Sequence, residues 1–172
     1  MPTTDTRYRS KTVATWLAVV GGTLGLHRLY LKGVKDPLAW LHLPPTLLGL
    51  AGAIRMRQLG QDDHVAWLLI PVLGLMITLS MLSAILYGLT PDEKWDATRN
   101  PGHAPERTAW GPVLGVIAAL LLGAAIMMGT IAFSIQKLFE WDLAVTSSLD
   151  ANTPVILAPS GAASKTSEVR RS

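Results

Sequence analysis

The sequence predicts an all-α, polytopic integral membrane protein with about four transmembrane helices, the second one kinked at Pro44–Pro45. Three observations lead there. First, two runs carry no charge, the 25 residues Val65–Leu89 and the 27 residues Ala109–Ile135. At roughly 1.5 Å per helical residue they reach about 37 and about 40 Å, against a hydrocarbon core of about 30 Å. Second, charged residues make up only 16% of the chain, against about 25% in ordinary soluble domains, while hydrophobic residues reach 49%. Third, 172 residues suit one small helical bundle. The net charge of +3 is small, and the cations flank the apolar runs. That is the placement of membrane-flanking Lys and Arg, not of a nucleic-acid patch. Cysteine is absent, which excludes disulfides, thiolate metal sites and cysteine nucleophiles.

In chain order, residues 1–11 form a polar, basic N-terminal segment. Arg7, Arg9 and Lys11 precede the apolar stretch 13–20, as in a signal peptide. No Ala-x-Ala cleavage site follows, so a retained first helix over about Thr12–Leu31 is expected. Its uncharged part, 12–26, is short, and it spans only if His27 and Arg28 lie at an interface or face other helices. The second apolar segment, 37–54, contains His42, Pro44 and Pro45. Each proline removes a backbone donor, so a kinked span is expected, with a re-entrant or interfacial segment as the alternative. Together residues 12–55 make a helical pair, followed by a polar loop at 56–64. Two further spans occupy 65–143, separated by a polar loop at 90–108 in which Trp95 and Trp110 are expected to rest at the lipid surface. Residues 144–172, rich in Ser, Thr, Ala and Pro, are expected to be a disordered tail.

Small residues mark packing faces. Gly111, Gly115, Ala119 and Gly123 recur at four-residue spacing in the last span, and Ser80, Ala84 and Gly88 do so in the third. Gly21 and Gly25 do so in the first. In lipid, close backbone approach and dispersion drive helix association, so such stripes serve packing inside one subunit or a dimer seam.

The stretch from Gly21 to Gly33 carries the most information. A glycine-rich turn leads into His27, Arg28 and Tyr30 at a membrane boundary. Arg28 there suits lipid phosphate, a carboxylate or a helix C-terminus. With the entry Ser10-Lys11-Thr12-Val13-Ala14, the matches at Gly25, His27, Arg28 and Tyr30 resemble the TM-2 (two-transmembrane) domain family over about residues 10–55. Leu29 stands where that family usually has Phe, and Gly33 comes one residue later than usual. The resemblance implies a small, most often bacterial membrane protein without established enzymatic activity, here extended by two spans. It also implies a motif turn facing the cytosol, as in animal members. Charge alone leaves orientation tied if all four segments cross: six flanking cations fall on each side.

Other candidates are weaker. Asp62-Asp63-His64 invites a divalent cation, but a solvated loop and helix N-cap explain it. His42 invites a proton relay, but a hydrogen bond to a carbonyl freed by the kink explains it too. No span holds an interior Asp or Glu, which speaks against an ion-coupled pump. No phosphate loop, metalloprotease motif or Ser/His/Asp order is found, so no catalytic residues, cofactor or metal are expected. The expected protein is non-enzymatic and sits in a cell membrane of the bacterial inner-membrane kind. It associates with membrane partners, itself or anionic lipid through His27, Arg28 and Tyr30. A small transporter or channel using the broken second helix is the alternative.

Overall fold

The computed structural model describes residues 8–103, 107 and 109–152. Among these, all regular structure is helical: α1 (Lys11–Gly21), α2 (Leu26–Lys32), α3 (Pro37–Trp40), α4 (Leu43–Leu59), α5 (His64–Leu89), α6 (Asp92–Arg99) and α7 (Gly111–Asn152). Two compact units divide the chain after Lys137. The second, as far as it is described, is the last part of α7.

Among the described residues, three helical segments are long and apolar enough to cross a membrane: Pro37–Leu59, His64–Leu89 and Gly111–Leu149. Their outer faces leave large apolar side chains exposed, Leu68, Leu86 and Leu121 among them, as lipid-facing helices do.

The segment expected as the first span is not one helix. α1 stops at Gly21, a 3-10 turn follows over Gly22–Leu24, and Gly25 takes a left-handed conformation with φ +75° before α2 begins. α2 then runs back along α1. The two touch at the turn, where Gly21 faces Leu26. They touch again at their far ends, where the Ser10 amide donates to the Tyr30 hydroxyl over 2.9 Å. At about 16 and about 10 Å, neither helix alone matches the bilayer core.

The second segment is interrupted at Leu41–His42, where both residues keep right-handed helical angles. Pro44 and Pro45 lie in the first turn of α4, where a missing N–H costs least. The His42 amide bonds Ala39 rather than Leu38, and the His42 ring Nδ1 takes up the Leu38 carbonyl at 2.7 Å.

α5 is the helix on which the others pack. α4 lies against it through Gly49 and Gly52, where an added Cβ would come within 2.6 Å of Leu73 or Leu69 atoms. α1 and α7 meet it at the cluster of Ala18, Met81, Ala84 and Ala119. One expectation is corrected between α5 and α7, the one for Trp95. The polar loop at 90–108 contains α6, which begins with Asp92 and Glu93 and ends with Arg99, charges that suit its dipole. Trp95 does not rest on lipid: it is buried, packs with Ala14 and Leu31, and donates its indole N–H to the Arg9 carbonyl over 2.8 Å. Trp110 is exposed. α7 carries helix through 144–152, where composition suggested a tail; residues 153–172 of that tail lie outside the described residues.

Candidate functional site

The glycine-rich turn and the residues after it form the most elaborately held part of the molecule. Gly22 lies against Ser80: a Cβ there would fall 1.7 Å from the Ser80 oxygen. That oxygen donates to the Ala18 carbonyl over 2.8 Å, pinning the end of α1 to α5. Thr46 Oγ1 donates to the Thr23 carbonyl over 2.7 Å, satisfying a turn carbonyl from α4. Buried polar backbone needs such partners.

His27 opens α2 and is almost fully buried. Its ring meets His42 edge-on with centroids 5.8 Å apart, and Tyr87 at 5.7 Å. Tyr87 meets Trp95 at 5.9 Å, so four rings run in series from the break before α4 to α6. His27 Nδ1 has no hydrogen-bond partner among the described residues.

Arg28 turns outward and is partly exposed, but its Nε donates to Asp36 over 2.9 Å, closing the loop between α2 and α3. Burial of the Asp36 carboxyl works against its charge, yet the Arg28 hydrogen bond and charge hold its pKa below the ordinary carboxylate value. Tyr30 accepts the Ser10 amide at its hydroxyl, and its carbonyl accepts the Arg9 guanidinium. The arrangement therefore gives the three motif side chains different surroundings: His27 inside, Arg28 bracing a loop, Tyr30 stapling the N-terminal segment. Around the braced loop Lys32, Val34, Lys35, Trp40 and Leu41 are exposed.

The small-residue positions divide the same way. Gly25 lies against Ala39, whose carbonyl oxygen would be 2.5 Å from an added Cβ. Gly88 faces Val116 and the Pro112 carbonyl. Along α7, Gly111 faces Thr12, Gly115 faces Thr15, Ala119 joins the cluster with Ala84, and Gly123 faces Met81. The stripe is filled from within the chain.

The partners of several residues that hold this site carried no signal in the sequence. Asn100 takes the Arg9 amide at 2.7 Å. Lys11 is buried and donates to the Thr90 carbonyl and to Asp92, over 2.9 and 2.5 Å. Thr15 is buried and bonds its own helix at the Lys11 carbonyl. Lys11 and Asn100 pair across 79 to 91 residues, and no periodicity reports such pairs.

At the opposite end of α5, Asp63 caps the helix by accepting the Val65 amide, and it takes a forked contact from Arg55 at 2.7 and 3.2 Å. The His64 ring meets Trp67 edge-on, with centroids 4.4 Å apart. Among the described residues no three His, Cys, Asp or Glu side chains converge as a metal site.

The described residues form an all-helical fold with three helices long and apolar enough to cross a membrane and a folded-back first segment. Comparison with protein-family models, with curated proteins and with solved structures finds no match to the chain.

Proposed function

We propose that the chain is a non-enzymatic integral membrane protein, of the bacterial inner-membrane kind and TM-2-like over residues 10–55, that associates with anionic lipid at the face carrying the motif turn. The observation that carries this reading is the braced loop after α2. Lys32 and Lys35 stand exposed beside exposed Trp40 and Val34, while Arg28 and Asp36 fix the loop's shape. Exposed cations beside interfacial aromatic rings match the chemistry of lipid phosphate at a headgroup surface. Arg28 acts mainly as the brace, with Lys32 and Lys35 as the contacts.

Lysines at an anionic surface contribute about 1 kcal/mol each. The K32Q/K35Q variant should therefore lose about tenfold or more of the preference for phosphatidylglycerol over phosphatidylcholine, read as lipid retained by the purified protein in native mass spectrometry. Equal retention of the two lipids by the unmodified protein would sink the reading. If Arg28→Ala instead abolishes one protein cross-link in native membranes, the face binds a protein.

One observation favours a second reading, a small pathway for protons: His27 is buried beside His42 with Nδ1 unpartnered among the described residues. A pH-sensitive dye trapped in proteoliposomes separates the two readings, since only the pathway gives a flux that His27→Phe removes.

A further inference from the structure

The folded-back first segment bears on how the whole chain crosses the membrane. One end of the bundle gathers Ser10 with Tyr30, Lys11 with Thr90 and Asp92, Arg9 with Asn100, and Thr12 with Gly111. The start of α1, the end of α2, the end of α5, α6 and the start of α7 therefore share one face. The other end gathers Arg55 with Asp63, and Lys137 with the Gln61 carbonyl and the Trp67 ring. The end of α4, the start of α5 and Lys137 share that second face.

The turn between α1 and α2 lies between these ends. Gly22 sits against Ser80, nine residues before the end of α5, or about 14 Å along a helix. Thr23 is bonded to Thr46, near the middle of the 37–59 segment. The hairpin tip thus reaches about half the depth of a hydrocarbon core of about 30 Å. Its non-helical backbone is covered by α4 and α5, the condition under which such backbone is tolerated at that depth.

This placement removes the charge tie. With four crossings, Ser10 and the loop at 32–36 would lie on opposite sides, yet Ser10 and Tyr30 are hydrogen-bonded. With the hairpin, the first face takes, among the described residues, Arg9, Lys11, Arg28, Lys32, Lys35, Lys94, Arg99 and Arg107. The second takes Arg55, Arg57 and Lys137. Eight cations against three is a clear bias, and the richer face is cytosolic by the positive-inside rule.

We propose that residues 11–32 form a re-entrant helical hairpin that enters and leaves the membrane on its cytosolic face, so that the chain crosses three times. The motif loop, α6 and the N-terminal segment then share the cytosol, and Lys32 and Lys35 address the inner leaflet. The topology stands independently of lipid binding and is tested without lipid.

The cysteine-free chain allows single-site labelling. Ser10→Cys, Val34→Cys, Gln61→Cys and Ala97→Cys are each expressed in the full chain in bacteria, and intact cells are treated with a membrane-impermeant maleimide. The expected result is labelling at 61 alone, with 10, 34 and 97 labelled only after permeabilisation. Labelling of 34 without 10 in intact cells restores four crossings and overturns the hairpin. Labelling of 10, 34 and 97 but not 61 overturns the cytosolic assignment. Lys35→Cys and Glu93→Cys repeat the two loop positions if a first variant does not accumulate.

Discussion

Gly25 shows how much one residue decides in this fold. Its φ of +75° is left-handed, and its missing Cβ leaves room for the Ala39 carbonyl. A residue with a side chain meets two costs there. The left-handed conformation costs about 1–2 kcal/mol, and the carbonyl at 2.5 Å is backbone that cannot swing aside. Gly25→Ala should therefore destabilise the protein by more than the conformational cost alone, read as thermal unfolding in detergent by circular dichroism. Asn tolerates the left-handed region but still carries a Cβ. Gly25→Asn should not rescue, and full rescue would mean that the contact with Ala39 does not matter. Gly25, His27, Arg28 and Tyr30 were all legible as a motif, but their separate duties were not. Asp36 lies eight residues beyond Arg28 on another element, and the group that meets Tyr30 is a backbone amide, which no side-chain pattern marks.

Among the elements, the three long apolar segments were legible because length and absence of charge are properties of the chain itself. The division of 11–32 was not. Apolarity alone cannot separate a helix that passes through from one that turns back. What permits the turn is Thr46 reaching the Thr23 carbonyl and Ser80 reaching that of Ala18, both distant in sequence. The four-residue stripe on α7 was legible as a packing face, but its partner was not. Thr12, Thr15 and Met81 occupy it. A Leu at Gly115 must displace Thr15 in a filled interface, and overpacking of this kind costs about 1–3 kcal/mol. Gly129 on the same helix has nothing within 4 Å of an added Cβ. Gly115→Leu should lower the unfolding temperature in detergent while Gly129→Leu leaves it unchanged, and neither should alter the cross-linked oligomer pattern of the native protein. Loss of an oligomer band in Gly115→Leu alone, at unchanged unfolding temperature, would assign the stripe to a second copy.

At the scale of the whole molecule, carboxylates brace both ends of the bundle: Asp36 with Arg28 at one, Asp63 with Arg55 at the other. The Arg55 hydrogen bond, opposed by burial, together with the Val65 amide, holds Asp63 below its ordinary value of 3.8, and Asp36 is lowered as well. A carboxyl whose pKa is lowered by folding binds its proton more readily in the unfolded chain. The stability it contributes is fully present above about the ordinary value and is lost as pH falls through the lowered one. Thermal stability in detergent should therefore be flat from neutral pH to about 5 and fall steeply below about 4. Asp63→Asn keeps a side-chain acceptor for the helix cap but has no proton to gain, so it should start less stable at neutral pH and show a shallower acid fall. Asp36→Asn should act in the same sense from the other end, and the double variant should be close to additive because the two braces share no partner. An acid fall of undiminished steepness in the double variant would show that neither brace governs it.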